Sequence, residues 1–276
     1  MNIMYIPYTK MKIVFATARK IQQFATIIAN LKNFTDNVCI YFRENGLYIQ
    51  CMDDSHCCLF ECDLKSTWFK TYEFSPENDQ SCIGINIGML NKVLSTWNET
   101  QTLSLELENN GDKIAINFEK SVNNNVHFDK FFELSLVSLD SELMEVKNFE
   151  TLVDLTVESK IFCSLISNLM IFNDILTLTF NEENIECTSS GSDGSMKALI
   201  NVNDVTEYAI TESTILVQSY SLRYVHLMCQ FNKLAPEMIM GFGESMPMVM
   251  KYILSEGNDK DTSFACIHLA PKIVED

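Results

Sequence analysis

Two stretches of this chain have the same shape. "VCIYFRENGLYIQC" (38–51) alternates apolar and polar residues on either side of Glu44-Asn45-Gly46, the pattern of two antiparallel strands joined by a tight turn. "ILTLTFNEENIEC" (175–187) repeats it: an alternating strand, an Asn/Glu turn, then Ile185 and Cys187. Gly46 and Asn184 stand 138 positions apart, half of the 276 residues. The flanks agree. "ARKIQQFATIIANLKNF" precedes the first hairpin and places Ile21, Phe24, Ala25, Ile28 and Leu31 on one helical face. "ESKIFCSLISNLMIF" precedes the second and places Ile161, Phe162, Leu165, Ile166 and Leu169 on one face. A second helix is expected in each half, over "INIGMLNKVLSTW" (Ile87, Leu90, Val93, Leu94, Trp97) and "SLRYVHLMCQFNKLA" (Leu222, Val225, Met228, Phe231). Strand-like segments follow both, so each half reads helix, strands, helix, strands.

Four elements in the same order point to duplication. We expect two similar α+β domains, 1–134 and 151–276, joined by a connector at 135–150. The connector's middle, Ser138 to Asn148, is acidic and does not alternate; a surface loop and an exposed binding rim both fit it. With 47% apolar residues, both domains can hold a core. The chain has no apolar run long enough for a membrane helix, and its start lacks the pattern of a secretory signal. Ten cysteines without such a signal read as reduced thiols.

The net charge is −17, from 37 acids and 20 bases. That opposes a protein that coats nucleic acid, but leaves room for a small basic patch on an acidic body. Catalytic chemistry finds little support. "CMDDSHCCLFEC" gathers Cys51, Asp53, Asp54, His56, Cys57, Cys58 and Cys62. A zinc site needs ligands at roughly 2.0–2.3 Å, yet on a strand Cys58 and Cys62 lie about 13 Å apart at roughly 3.3 Å per residue. Cysteines packed as small apolar residues are the simpler reading. Ser55 and His56 are adjacent, so their side chains diverge in an extended segment. "SSGSDGS" (189–195) reads as a turn between strands, and GxSxG, P-loop and GxGxxG motifs are missing. We expect no enzyme, metal or cofactor.

"GLYIQCMDDSH" (46–56), "GINIGMLNKVL" (84–94), "SLRYV" (221–225) and the ending "HLAPKIVED" (268–276) resemble, in order, segments of the proliferating cell nuclear antigen (PCNA) family of DNA sliding clamps. The resemblance spans roughly residues 12 to 276. It implies two clamp domains per chain and a closed ring of three chains, with helices lining the hole and sheets outside. It further implies a processivity factor that encircles double-stranded DNA and tethers DNA polymerase, a clamp loader and other replication and repair proteins. No membrane role is implied. An acidic exterior is compatible with DNA work if bases line the hole.

Residue by residue, the resemblance assigns Arg19, Lys20, Lys92, Lys160, Arg223 and Lys233 to the DNA-facing helices. Gln22 and Gln23 stand where the family has lysines, Ser164 and Ser167 where it has arginines, and Gln230 where it has a lysine. A pocket for partner peptides of the type Gln-x-x-aliphatic-x-x-aromatic-aromatic is expected from Met52, His56, Leu59, Met144, Val146, Pro247, His268, Leu269, Ala270 and Pro271. His268 replaces a family tyrosine. Phe132 matches an interface tyrosine where "FDKFFEL" would pair with "SMKALINV" of the next chain. Pro271 is expected to stop the last strand and turn the chain outward. Two alternatives stay open: a checkpoint-type subunit of a heterotrimeric clamp, and a metal-dependent phosphoesterase using Asp53, Asp54 and His56. The Asn- and Ile-rich composition suggests a large DNA virus or a protist. The expected location is therefore the nucleus, or a cytoplasmic replication site.

Overall fold

The computed structural model describes residues 10–75, 81–107, 112–120, 128–139, 142–146, 150–255 and 262–272. The extension before the first strand and the acidic residues of the tail lie outside them, as do parts of the expected connector. The chain forms two compact units. The first is Met1–Cys51, Glu61–Leu143 and Ser255–Ser263; the second is Met52–Phe60, Met144–Leu254 and Phe264–Asp276.

In the first half the elements run β1 (Lys10–Phe15), α1 (Ala18–Leu31), β2 (Asn37–Arg43), β3 (Gly46–Met52), β4 (Cys58–Lys65), β5 (Phe69–Ser75), β6 (Ser81–Asn86), α2 (Ile87–Leu94), β7 (Gln101–Leu107), β8 (Lys113–Lys120) and β9 (Lys130–Ser135). In the second they run β10 (Val153–Glu158), α3 (Ser159–Leu169), β11 (Ile175–Phe180), β12 (Asn184–Gly191), β13 (Gly194–Asn201), β14 (Glu207–Ile210), β15 (Leu216–Ser221), α4 (Leu222–Cys229), β16 (Glu237–Phe242), β17 (Met248–Ile253) and β18 (Phe264–Leu269). The first half orders its strands β5-β1-β7-β8-β9 and β4-β3-β2-β6. The second half orders them β14-β10-β16-β17-β18 and β13-β12-β11-β15. The two orders are identical once β1 is matched to β10, β2 to β11 and so on to β9 and β18.

Local chemistry explains the elements. Thr17 caps α1, its hydroxyl accepting from the Lys20 amide at 3.3 Å, and Asn86 caps α2 from the Met89 amide at 2.9 Å. The α1 stripe of Ile21, Phe24, Ile27, Ile28 and Leu31 is buried. Each such burial contributes roughly 1.5–3 kcal/mol. Phe24 meets Phe15 of β1 at 5.1 Å between ring centres. In α3, Phe162, Ile166 and Leu169 are buried, but Ile161 is 66% exposed. Ile161 precedes Phe162 by one residue, which turns it about 100° away from the stripe. It is a surface residue, against expectation. Trp97 lies past the end of α2, held by its indole N–H on the Gln101 carbonyl at 2.9 Å. Cys58 and Cys62 share the buried face of β4, with Phe60 and Leu64.

The same crossing closes both halves. After β9, the Val137 amide donates to the Gly84 carbonyl of β6 at 2.8 Å. After β18, the Lys272 amide donates to the Ser219 carbonyl of β15 at 2.7 Å. Gly84 and Ser219 are the fourth residues of matched strands. The tail therefore does not simply turn outward after Pro271. Proline removes one donor, but the next residue has its N–H again and uses it to cross β15. In the first unit, Leu139 and Leu143 then pack on Cys39, Tyr41 and Tyr48. A Cβ at Gly84 would lie 2.1 Å from the Val137 carbonyl and 2.9 Å from Leu139. We expect Gly84→Val to lift the connector off β6. It should cost about 1–3 kcal/mol in urea unfolding and open new protease cleavage near Val137.

Candidate functional site

Charge is segregated by element. The chain is strongly acidic, yet α1, α2, α3 and α4 contain no Asp or Glu. They carry Arg19, Lys20, Lys92, Lys160 and Arg223. Arg19, Lys92, Lys160 and Arg223 are exposed, as is Lys233 in the 3-10 turn Gln230–Lys233 after α4. Lys20 differs. Its ammonium donates to the Trp68 carbonyl at 2.5 Å and stands 5.3 Å from the indole centre. Burial lowers its pKa, so this lysine is partly spent within its own unit. Lys32, the exposed C-cap of α1, is a further base that sequence reasoning passed over. Gln22, Ser164, Ser167 and Gln230 are exposed neutral side chains on or beside these helices, the Ser167 hydroxyl donating to the Cys163 carbonyl at 2.9 Å, whereas Gln23 is buried.

A second group forms around the turn between β3 and β4, within the second unit. Asp53 organises it. Its Oδ1 accepts from the Cys57 and Cys58 amides at 2.8 and 2.6 Å. Its Oδ2 accepts from the Ser55 amide at 3.1 Å and the Tyr224 hydroxyl at 2.6 Å. Burial pushes the carboxyl upward, but the Tyr224 hydroxyl and these amides outweigh it and hold Asp53 below the usual carboxylate range. The Asp53 carboxylate is thus a turn-former with four donors, which removes it from a metal pair with Asp54. His56 is exposed and has a left-handed backbone (φ 57°).

The chain end joins this turn. The Ala270 amide donates to the Cys57 carbonyl at 2.9 Å. β17 brings Met248 opposite Leu269 and Val249 opposite His268, one strand-step beyond Pro247. Met52, Leu59, Pro247, His268 and Pro271 are partly exposed and Ala270 is exposed. Leu269 is 1% exposed, so its side chain belongs to the core and only its neighbours face out. The His268 Nε2 lies 3.5 Å from the Cys266 thiol. Met144 is exposed and Val146 partly exposed in the connector.

Among the described residues the end strands β5, β9, β13 and β14 each pair on one side only. β9 pairs only with β8, and β13 only with β12. Phe132 is partly buried against Phe118 at 5.8 Å. The aromatic side chains that stand out here are Phe131, 68% exposed, and Phe128, 71% exposed. On β13, Leu199 is 62% exposed.

The family model for the proliferating cell nuclear antigen N-terminal domain matches residues 16–143. "Proliferating cell nuclear antigen 1" of Plasmodium falciparum is 25% identical over 257 residues, covering 89% of this chain and 92% of that protein. "Proliferating cell nuclear antigen" of Dictyostelium discoideum is 23% identical over 255 residues, covering 90% and 94%. The crystal structure of the Entamoeba histolytica proliferating cellular nuclear antigen superposes with a TM-score of 0.80 at 19% identity, covering 95% of this chain and 99% of that one. The family model over residues 16–143 and the relatives that align along the chain make it similar to the PCNA sliding clamps.

The features missed from sequence were relational. The Asp53–Tyr224 bond joins residues 171 positions apart. The signal for it was present as the Asp-x-x-x-Cys-Cys spacing of a turn that needs an acceptor, but nothing pointed to Tyr224. The alternation of β9, with Phe131 exposed and Phe132 partly buried, was legible in its sequence. We expect Asp53→Asn to loosen this turn. Because the folded-state pKa of Asp53 is depressed, its contribution is complete above the ordinary carboxylate pKa of about 3.9. It is lost as pH falls through the lowered value. Wild type should therefore show an acid-side loss of stability in chemical unfolding that the variant lacks.

Proposed function

We propose that three copies of this chain close head to tail into a ring around duplex DNA, with the four helices of each copy facing the phosphates. The ring acts as a processivity clamp that tethers polymerase and other replication and repair proteins. The observation that carries this reading is the absence of acids from the helices of a strongly acidic chain. A surface that meets a polyanion cannot hold unpaired carboxylates, whereas the rest of the protein is free to be acidic. Exposed Gln22 and Ser164 supply neutral donors where more bases would bind tightly, a composition suited to contacts that are weak and blind to sequence. The acid-free helices also favour a DNA-encircling scaffold over a phosphoesterase, as does the commitment of Asp53 to its turn.

Subunit closure falls to two of the open edges. β9 of one copy would add to β13 of the next, covering Phe131 and Leu199 as well as the unpaired backbone. The partner face is Met52, His56, Leu59, Pro247, His268, Ala270 and Pro271, with Met144 and Val146 of the connector contributing a further wall. A partner peptide would place an aromatic plug there and bond to the chain end. His268 sets it apart from a tyrosine-bearing pocket and shifts peptide preference. Work on DNA places the protein in the nucleus or at a cytoplasmic replication site.

Light scattering of the purified chain should give three times 31.6 kDa. Phe131→Glu should reduce that to the single-chain mass; a wild-type monomer would overturn the ring. Duplex-DNA anisotropy at low salt should weaken in Lys92→Glu/Arg223→Glu, with the slope of log affinity against log salt falling by about one for each phosphate no longer neutralised. In a pull-down with a consensus clamp-binding peptide, His268→Ala/Ala270→Asp should lose capture, and equal capture by both proteins would refute the assigned face.

A further inference from the structure

We propose that Cys163 and Cys229 form an oxidation site: hydrogen peroxide converts the two thiols to a disulfide that fastens α3 to the end of α4. The geometry is local to the second unit. α3 packs on α4 and on the 3-10 turn that follows it. The Cys163 thiol donates to the Cys229 carbonyl oxygen at 3.3 Å, which brings the two cysteines side by side across the α3–α4 contact. Cys163 is half-buried and so open to a small oxidant, whereas Cys229 is 2% exposed.

The environment divides the two roles. The Cys229 thiol and the Asn232 side chain hydrogen-bond Cys163 and bring its pKa down against the opposing effect of burial. Cys229 is pushed up by that same bond and by burial. Cys62 and Cys187, by contrast, are pushed up by burial and by the neighbouring carboxylates of Asp63 and Glu61, and of Glu186. A lowered thiolate with a second thiol beside it is the arrangement that oxidises and then resolves.

The steps balance. The Cys163 thiolate attacks one peroxide oxygen and breaks the O–O bond, giving a sulfenic acid and hydroxide. The Cys229 sulfur attacks the Cys163 sulfur and expels hydroxide, and the proton from each thiol ends in water. Two thiols and one peroxide give one disulfide and two waters; sulfur is oxidised and peroxide oxygen reduced. A thiol reductant reverses it. The bridge would join the helix bearing Lys160 to the helix bearing Arg223, so it sets the spacing of two exposed bases without altering either.

The test uses the full-length chain under native conditions. After graded hydrogen peroxide and alkylation, peptide mapping should find Cys163 linked to Cys229, with two of the ten thiols consumed and restored by dithiothreitol. In Cys229→Ser, the sulfenic acid at Cys163 should persist and be captured by dimedone. Should that variant fail to fold, Cys163→Ser at the half-exposed position serves instead, and there Cys229 should resist peroxide. The proposal is overturned if Cys163 stays reduced at peroxide levels that oxidise the exposed Cys82, if it joins a different cysteine, or if wild-type Cys163 stops at the sulfenic acid.

Discussion

Each helix of this protein must bury one apolar stripe against its neighbours, and that requirement decides where charge can go. Once Phe24, Ile28 and Leu31 of α1, or Phe162, Ile166 and Leu169 of α3, are committed inward, the opposite face is left for polar side chains. In most acidic proteins that face would be rich in Glu. Here it holds Arg, Lys, Gln, Ser and Asn, and the acids of the described residues lie outside the four α-helices. Sheet, helix and surface charge are thus one arrangement rather than three, and the DNA-facing role we propose rests on it.

Much of the fold was legible because it is periodic. Alternation in 38–51 and 175–187 and the stripes of α1 and α4 are local signals, and duplication made each of them count twice. Ile161 shows the limit: a run of adjacent apolar residues does not say which belongs to the stripe, and one residue of misplacement turned a surface side chain inward. Leu269 shows the reverse, an apparent pocket wall that the strand's own alternation sends into the core.

The candidate site was harder to read, for a physical reason. Its residues act through partners that are distant in sequence. Lys20 is a base on the expected helix, but Trp68 takes its ammonium. Asp53 looked like half of a carboxylate pair and is instead the acceptor that shapes the turn presenting His56, with Tyr224 as the remote donor. Cys163 and Cys229 were two of ten thiols until α3 and α4 packed. Composition can nominate such residues, but only packing assigns them work.

The crossing of β6 by the connector and of β15 by the tail has a bearing on how the two halves have diverged. In the first half the crossing chain approaches a position with no room for a side chain, Gly84. In the second, the matched position is Ser219, whose hydroxyl shares a hydrogen bond with Thr177. The first crossing is therefore closed by backbone against backbone, and the second tolerates a side chain beneath it. The halves are no longer interchangeable parts: a chain fused from two copies of either half would repeat the fold, but it would carry the same closure twice and lose the asymmetry between them.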